Sequence, residues 1–263
     1  MFGTLISKFD ARDYKVAVGS QNFPESFKLN NLPSVKNQRN VSSCVAHVIA
    51  SIAEYFYCKE HGVKVKMSTD FIYGSQYTLS GRKGKGMYPR DACKILMKYG
   101  DCEWSVLPTN TEMPGCINKI NSLTDAERNE AMNQRVKSYA KCSTDDDMKY
   151  ALMKYGPLLA SISYNNKLEV DSEGVVSNVI KSGSKAHGVM IYGWNNIGWL
   201  CQNSWGTTWG DKGRFTIPFE NEVKECWCFV DMIGDDIKVP KNNCVLNKFY
   251  KAYNVVRNIF KKK

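Results

Sequence analysis

Gln202-Asn203-Ser204-Trp205-Gly206-Thr207-Thr208-Trp209-Gly210 is the stretch on which the fold turns. It follows a short strand-like run, Gly198 to Gln202, and sets one amide, Asn203, ahead of two tryptophans among glycine turns. Upstream, an imidazole opens another strand-like run, His187-Gly188-Val189-Met190-Ile191-Tyr192-Gly193-Trp194. A thiol, Cys44, lies 143 residues before that histidine, in Lys36-Asn37-Gln38-Arg39-Asn40-Val41-Ser42-Ser43-Cys44. A thiol, an imidazole and an amide in that order are the parts of a nucleophilic cysteine site.

The local sequence around the thiol suits that chemistry. Cys44 to His61 reads as a helix, with Val45, Val48, Ile49, Ile52, Tyr55 and Phe56 at three- and four-residue steps. Ser42 or Ser43 is expected to cap its start and Gly62 to end it. A thiol at a helix N-terminus beside an imidazolium ionises several units more easily than a free one. His187 would then hold the proton and return it to a leaving amine. Asn203 would accept from the other ring nitrogen and fix the ring. Gln38, six residues before Cys44, can aim its amide N–H at a carbonyl oxygen as charge develops there, with the Cys44 backbone N–H as second donor. Each residue alone has an ordinary explanation. A cysteine on an apolar helix is usually core, and asparagine and glutamine fill turns. His47 and His61 read as structural. Trp205 reads as core, or as a shield of the Asn–His pair from water.

The remaining pattern divides the chain. Ser80 to Pro89 is a glycine-rich loop, Arg90 to Tyr99 a helix closed by Gly100, and Ser143-Thr144-Asp145-Asp146-Asp147 opens another that Gly156-Pro157 stops. Leu158 to Tyr164, Gly188 to Trp194, Gly198 to Gln202 and Gly213 to Ile217 read as strands. A helical first half and a stranded second half predict an α+β protein of two lobes. Cys44 would stand on one wall of the cleft and His187 on the other.

Composition narrows the class. At 43% apolar residues the chain is globular, and no window is apolar enough to cross a bilayer. Met1 to Lys8 is too short and too soon charged for a signal-peptide core, so the ten cysteines are expected to be mostly free thiols. Cys226-Trp227-Cys228 lacks a second pair and a nearby histidine, so no metal is expected. Of the net charge of +10, eight units lie in Ile237 to Lys263, which holds no acid. The basic balance belongs to the tail and is not a nucleic-acid footprint. Within that tail, residues 245–261 read as a basic amphipathic helix (Leu246, Phe249, Tyr253, Val256, Phe260). It would dock on its own domain, on a partner protein or on an anionic membrane surface.

Together these blocks resemble the papain-like cysteine peptidases. Phe23-Pro24-Glu25-Ser26-Phe27 resembles the start of the mature domain. Val35-Lys36-Asn37-Gln38 with Ser43-Cys44 resembles the segment of oxyanion glutamine and nucleophile. Gly156-Pro157-Leu158-Leu159, His187-Gly188-Val189 and the Asn203 to Gly210 block resemble the second lobe. The Cys-to-His interval lies in the family's range of roughly 130–150 residues. The resemblance covers about residues 23–235. It implies a papain-like two-lobe fold, helical over about 23–135 and β-barrel-like over about 136–236, followed by the basic extension 237–263. It implies a thiol endopeptidase with Cys44 as nucleophile, His187 as acid and base, Asn203 as orienter and Gln38 as oxyanion donor. It implies a polypeptide substrate, no cofactor and a monomer.

The departures matter too. Val41 and Val45 replace a cysteine and an aromatic of the usual signature, and with Val41 goes a disulfide of secreted members. Met87 stands at a glycine whose backbone pairs with substrate, and brings a side chain to the cleft edge. Gly86, Met87, Tyr88, Pro89 and Ala186 are the expected substrate-binding residues; small, uncharged Ala186 favours an apolar residue two before the scissile bond. Residues 1–22 are too few for a long helical prodomain. Asp10-Ala11-Arg12-Asp13 and Tyr88-Pro89-Arg90-Asp91 resemble the compact bacterial and viral branch, whose N-terminal segments are short. The arm is therefore expected in or near the cleft, restraining activity. Without an export signal the chain is expected in a cytoplasm, or in a virion or host-cell interior if viral. An amidase or transpeptidase on a non-protein peptide would use the same residues. Val45 and Met87 also leave open a peptide-binding homologue without turnover.

Overall fold

The structure, a computed structural model, describes residues 3–19, 21–108, 112–165 and 167–230 and the backbone of one further strand at 237–238. The tail segment 245–261 lies outside the described residues. Two short strands come first, β1 (Lys15–Val16) and β2 (Phe27–Lys28). Five helices follow: α1 (Cys44–His61), α2 (Thr69–Ser80), α3 (Pro89–Lys98), α4 (Met113–Ser122) and α5 (Asp125–Met132). Then come β3 (Ser138–Cys142), α6 (Asp145–Lys154), β4 (Leu158–Tyr164), β5 (Lys185–Trp194), β6 (Gly198–Gln202), β7 (Arg214–Pro218), β8 (Val223–Val230) and β9 (Ile237–Lys238).

Helix α1 has the expected span. Gly62 ends it at φ 70°, a conformation open to glycine, and its N–H returns 2.9 Å to Cys58 O. Its start differs from expectation. Ser43 holds the N-cap position but makes no side-chain cap bond; its hydroxyl instead sits 3.2 Å from Nδ1 of His47. Hence the Ser43 side chain does not cap the first turn at Cys44. Helix α6 starts as its composition implies: Thr144 Oγ1 takes the Asp147 N–H at 3.1 Å, and the Asp147 carboxylate takes the Thr144 N–H at 3.0 Å.

The strands join in the order β7-β6-β5-β4-β8-β3-β1-β9, with β2 added beside β5. Strand β4 is buried along its whole length because both of its faces are covered. Leu159, with Met190 and Trp227 from neighbouring strands, enters the core of the helical half. Leu158, Ala160 and Ile162 enter a second core with α6. Gly188 on β5 lets the lobes close: a Cβ there would stand 3.2 Å from both Val45 Cγ2 and the Val45 N. The first turn of α1 can therefore lie directly against the strand that carries His187. Among the described residues no helix is long and apolar enough to cross a membrane.

Candidate active site

Cys44 is the first residue of α1 and is fully buried. Burial alone would push its thiol up. The hydrogen bond and charge of His187 outweigh that, helped by Thr4 and the Gly188 N–H, and hold the thiol below its ordinary value. The Gly188 N–H points at Sγ from 3.4 Å. His187 is the third residue of β5 and lies opposite Ile162 of β4. Its Nε2 is 2.8 Å from Oδ1 of Asn203, which follows β6. Trp205 stacks on that ring at 4.7 Å between centroids and an interplanar angle of 32°, and Tyr164 flanks it at 5.8 Å.

Gln38 joins the thiol's segment to the amide's segment. Its backbone N–H donates to Ser204 O at 2.8 Å, and its Oε1 accepts from Ser204 Oγ at 2.6 Å. Its Nε2 spends one N–H on Val41 O at 2.9 Å. Asn37 bridges to Trp205, and the Gly206 N–H reaches Lys36 O at 3.0 Å. The structure thus brings Cys44, His187, Asn203, Gln38 and Trp205 to one place.

It also brings the chain's own N-terminus there. Gly3, Thr4 and Leu5 form a short extended segment between the two lobes. Met87 donates its N–H to Gly3 O at 2.9 Å and accepts the Leu5 N–H at 3.0 Å, while Thr4 bridges to Ala186 on the opposite wall. Thr4 Oγ1 lies 3.2 Å from Cys44 Sγ. A Cβ on Gly3 would stand 2.5 Å from that sulfur. The segment then runs on past α3. The Ser7 N–H donates to Glu225 Oε2 at 3.0 Å, Ser7 Oγ accepts from the Arg90 N–H at 3.2 Å, and Asp13 takes a two-point ion pair from Arg90 with Nε at 2.8 Å.

Met87 thus presents its backbone to an extended chain, while the Gly86 N–H donates to the Tyr73 hydroxyl at 3.1 Å, and the Met87 side chain is fully buried with the helical-lobe core. Tyr88 is the N-cap of α3 and Pro89 its first residue. Thr4, Ser204, Tyr164 and the Asp13–Arg90 pair were not singled out from sequence as site residues. The Asp13 and Arg90 blocks carried the only signal, as paired short motifs.

The sequence model of the family described as papain family cysteine protease matches residues 23–232. The chain belongs to the papain family. A cysteine protease of Blomia tropicalis is 27% identical over 195 residues, covering 69% of this chain and 56% of that protein. A cathepsin B-like cysteine proteinase of Caenorhabditis elegans is 28% identical over 191 residues, covering 69% and 47%. The chain spans about half the length of these relatives. Among solved structures, xylellain, a cysteine protease from Xylella fastidiosa, superposes with a TM-score of 0.75 at 20% identity, covering 88% of this chain and 96% of that one. Bromelain from Ananas comosus, solved with the E64 inhibitor, gives 0.62 at 17% identity over 79% and 99%. The two-lobe α+β architecture is thus that of the papain family. The nine described cysteines are all free. Among the described residues no group of three or more His, Cys, Asp or Glu is arranged to hold a metal.

Proposed function

We propose that this papain-family chain is a cysteine endopeptidase whose cleft is closed by its own N-terminal arm. The observation that carries the reading is the convergence of a buried thiol, its ionisation favoured by His187, on the His187–Asn203 pair at 2.8 Å. In this reading the Cys44 thiolate attacks a peptide carbonyl and forms the C–S bond. The carbonyl electron pair moves onto oxygen, held by the Cys44 N–H at the uncapped helix start and by the remaining N–H of Gln38 Nε2. His187 gives its proton to the leaving amine as the C–N bond breaks, which leaves an acyl-enzyme. Water, deprotonated by His187, then displaces the thiolate. Asn203 Oδ1 keeps the ring aligned, and Trp205 keeps water from that bond.

The Met87 and Ala186 backbones are the edges on which a substrate strand would lie, and Gly3 to Leu5 occupy them. Yet Gly3 O is engaged by Met87, and it is the Thr4 hydroxyl that meets the sulfur. The arm therefore covers the thiol with a hydroxyl contact, while the Gly3 carbonyl oxygen is held by Met87. The nine free thiols among the described residues suit a reducing compartment.

The test is labelling with an epoxide thiol inhibitor, before and after removal of residues 1–19, with Cys44→Ala as control and a peptide library as substrate. Labelling at Cys44 and peptide cleavage that rise on truncation are expected. Labelling at another cysteine with Cys44 silent overturns the assignment. Labelling at Cys44 with no cleavage favours the peptide-binding alternative.

A further inference from the structure

The glycine-rich loop that joins α2 to α3 carries three cations in four residues, Arg82-Lys83-Gly84-Lys85, and runs directly into Gly86 and Met87. The loop is folded on itself. Arg82 Nη2 donates to Lys85 O at 2.8 Å, its guanidinium stands 5.4 Å from the Tyr88 ring, and Lys83 Nζ stands 5.3 Å from the Tyr77 ring. Lys83 and Lys85 are exposed, and Arg82 Nε is buried with no hydrogen-bond partner. The loop also meets the strand that lies in the cleft: a Cβ on Gly86 would stand 3.3 Å from both Gly3 O and Leu5 Cγ. No Asp or Glu occurs between Asp70 and Asp91, and those two pair with Lys119 and Lys94. Among the described residues no carboxylate forms an ion pair with any of the three loop cations. The arm brings none to them. Gly3 to Phe9 hold a lysine, Lys8, and no acid; the first carboxylate, Asp10, takes Arg12 at 2.9 and 2.7 Å.

We propose that Arg82, Lys83 and Lys85 form a specificity rim, which selects peptide substrates with acidic side chains at the third and fourth residues before the scissile bond. The inference rests on the peptidase reading of Cys44, His187 and Asn203. A substrate strand lies along the Met87 edge, and Ala186 opposite favours an apolar residue two before the bond. The next residues outward along that strand pass beneath the loop, where a carboxylate meets the three cations. Arg82 is the directional member, its planar fork already held by Lys85 O and Tyr88; the lysines add field around it. Exposed charges of this kind act chiefly on encounter and orientation, and salt screens them. The closed arm leaves the rim unspent. An acidic substrate therefore gains a contact that the arm does not make, which favours exchange of the arm for that substrate. The sequence showed this loop only as a glycine-rich connection; the structure sets its end against the strand in the cleft.

The test compares two epoxide-bearing peptides on the full-length chain, alike except for Glu or Gln at those two residues. Both must displace the same arm, so the ratio of their Cys44 labelling rates isolates the rim. At an ionic strength of about 0.01 M the Glu peptide is expected to label about tenfold faster, and at about 1 M the two rates should converge. In Lys83→Gln/Lys85→Gln, which alters only exposed side chains, the low-salt ratio should fall to about twofold. Equal rates on the wild type at low salt, or a faster Gln peptide, overturn the proposal. A low-salt ratio that the variant leaves unchanged overturns it too. Labelling by both peptides at some other cysteine, with Cys44 silent, fails the peptidase reading itself, and the proposal with it.

Discussion

Thr4 Oγ1 lies 3.2 Å from Cys44 Sγ, and this hydroxyl arrives from forty residues upstream. The thiol of this papain-family chain is therefore covered by a strand of the same chain, paired to both walls. The cover is held at two distances. Near the sulfur it is backbone pairing to Met87. Farther along it is charge, where Asp13 meets Arg90 with their side chains 8% and 10% exposed. The outer face of the arm is solvent-facing, with Ile6 and Phe9 exposed.

Gly3 has no room for a side chain. Its Cβ would stand 2.5 Å from Cys44 Sγ, 3.2 Å from Cys44 N and 3.2 Å from the Ser42 carbonyl carbon. Two of these are backbone atoms and the sulfur is already in contact with Thr4 and the Gly188 N–H, so the arm must lift. Gly3→Val is expected to raise the rate of epoxide labelling at Cys44 at least about tenfold, the change from roughly 1.4 kcal/mol against docking. Mass spectrometry of the labelled peptide reads it. An unchanged rate would mean that the arm does not limit access.

Asp13→Asn tests the outer hold separately. Removing one partner of a buried ion pair costs about 3 kcal/mol when the other charge stays buried, and Arg90 is 9% exposed. Hydrogen exchange over residues 3–16 should speed by more than tenfold while α1 and β4 keep their protection. Equal loss across the whole protein would show that the pair stabilises the fold and not the arm.

Much of this was open to reading in the sequence, for physical reasons that also mark the limits. Helix α1 was legible at both ends because its apolar period is long and Gly62 ends it. Strands β4 and β6 were legible because apolar residues run between clear turn signals. Helix α2 was not anticipated, although Ser68 caps it, Asp70 sits in its first turn and Gly81 closes it. Tyr73, Gly74 and Ser75 gave it too weak a stripe. Strand β8 alternates charged, thiol and aromatic residues, and its partners β3 and β4 are distant in sequence. At the site, the thiol, imidazole, amide and glutamine were legible because their chemistry restricts the residue types. Thr4 was not, since any small residue on a paired strand could lie there. Its position follows from Met87 and Ala186 offering edges, which is tertiary information.

Gln38 and Asn203 should separate by kinetic signature in a chain lacking residues 1–19. Gln38→Ala removes an oxyanion donor and is expected to lower kcat about 10²–10³-fold with little change in KM. Because Gln38 also holds Ser204 through Oε1 at 2.6 Å, a modest fall in melting temperature should accompany it. Asn203→Ala leaves His187 Nε2 without its acceptor and should lower kcat while shifting the acid limb of the pH–rate profile upward, as the thiolate–imidazolium pair loses support. Steady-state kinetics from pH 4 to 9 would show both. An unshifted acid limb in Asn203→Ala would remove its orienting role.

Burial of Asp101 is expected to make the stability of this protein pH-dependent. It is wholly buried, and burial raises its carboxyl well above the usual range; the charge of Lys36 pulls it down and that of Glu54 pushes it up. Lys36 itself is paired with Glu54, whose carboxyl burial also raises against the pull of the lysine. A group whose folded pKa is raised keeps its proton in the native state after the unfolded chain has lost it. Its stabilising contribution is therefore full below the unfolded value near pH 4 and declines as pH rises toward the folded value, by up to about 1.4 kcal/mol per pH unit for one proton. Asp101→Asn carries no titrating proton. Relative to wild type it should gain stability steadily from pH 4 upward, with the gap in urea-unfolding free energy widening until the native carboxyl ionises. Measured at pH 4, 5, 6, 7 and 8, a flat gap would show that Asp101 ionises together in both states and that the buried Lys36 charge offsets its burial.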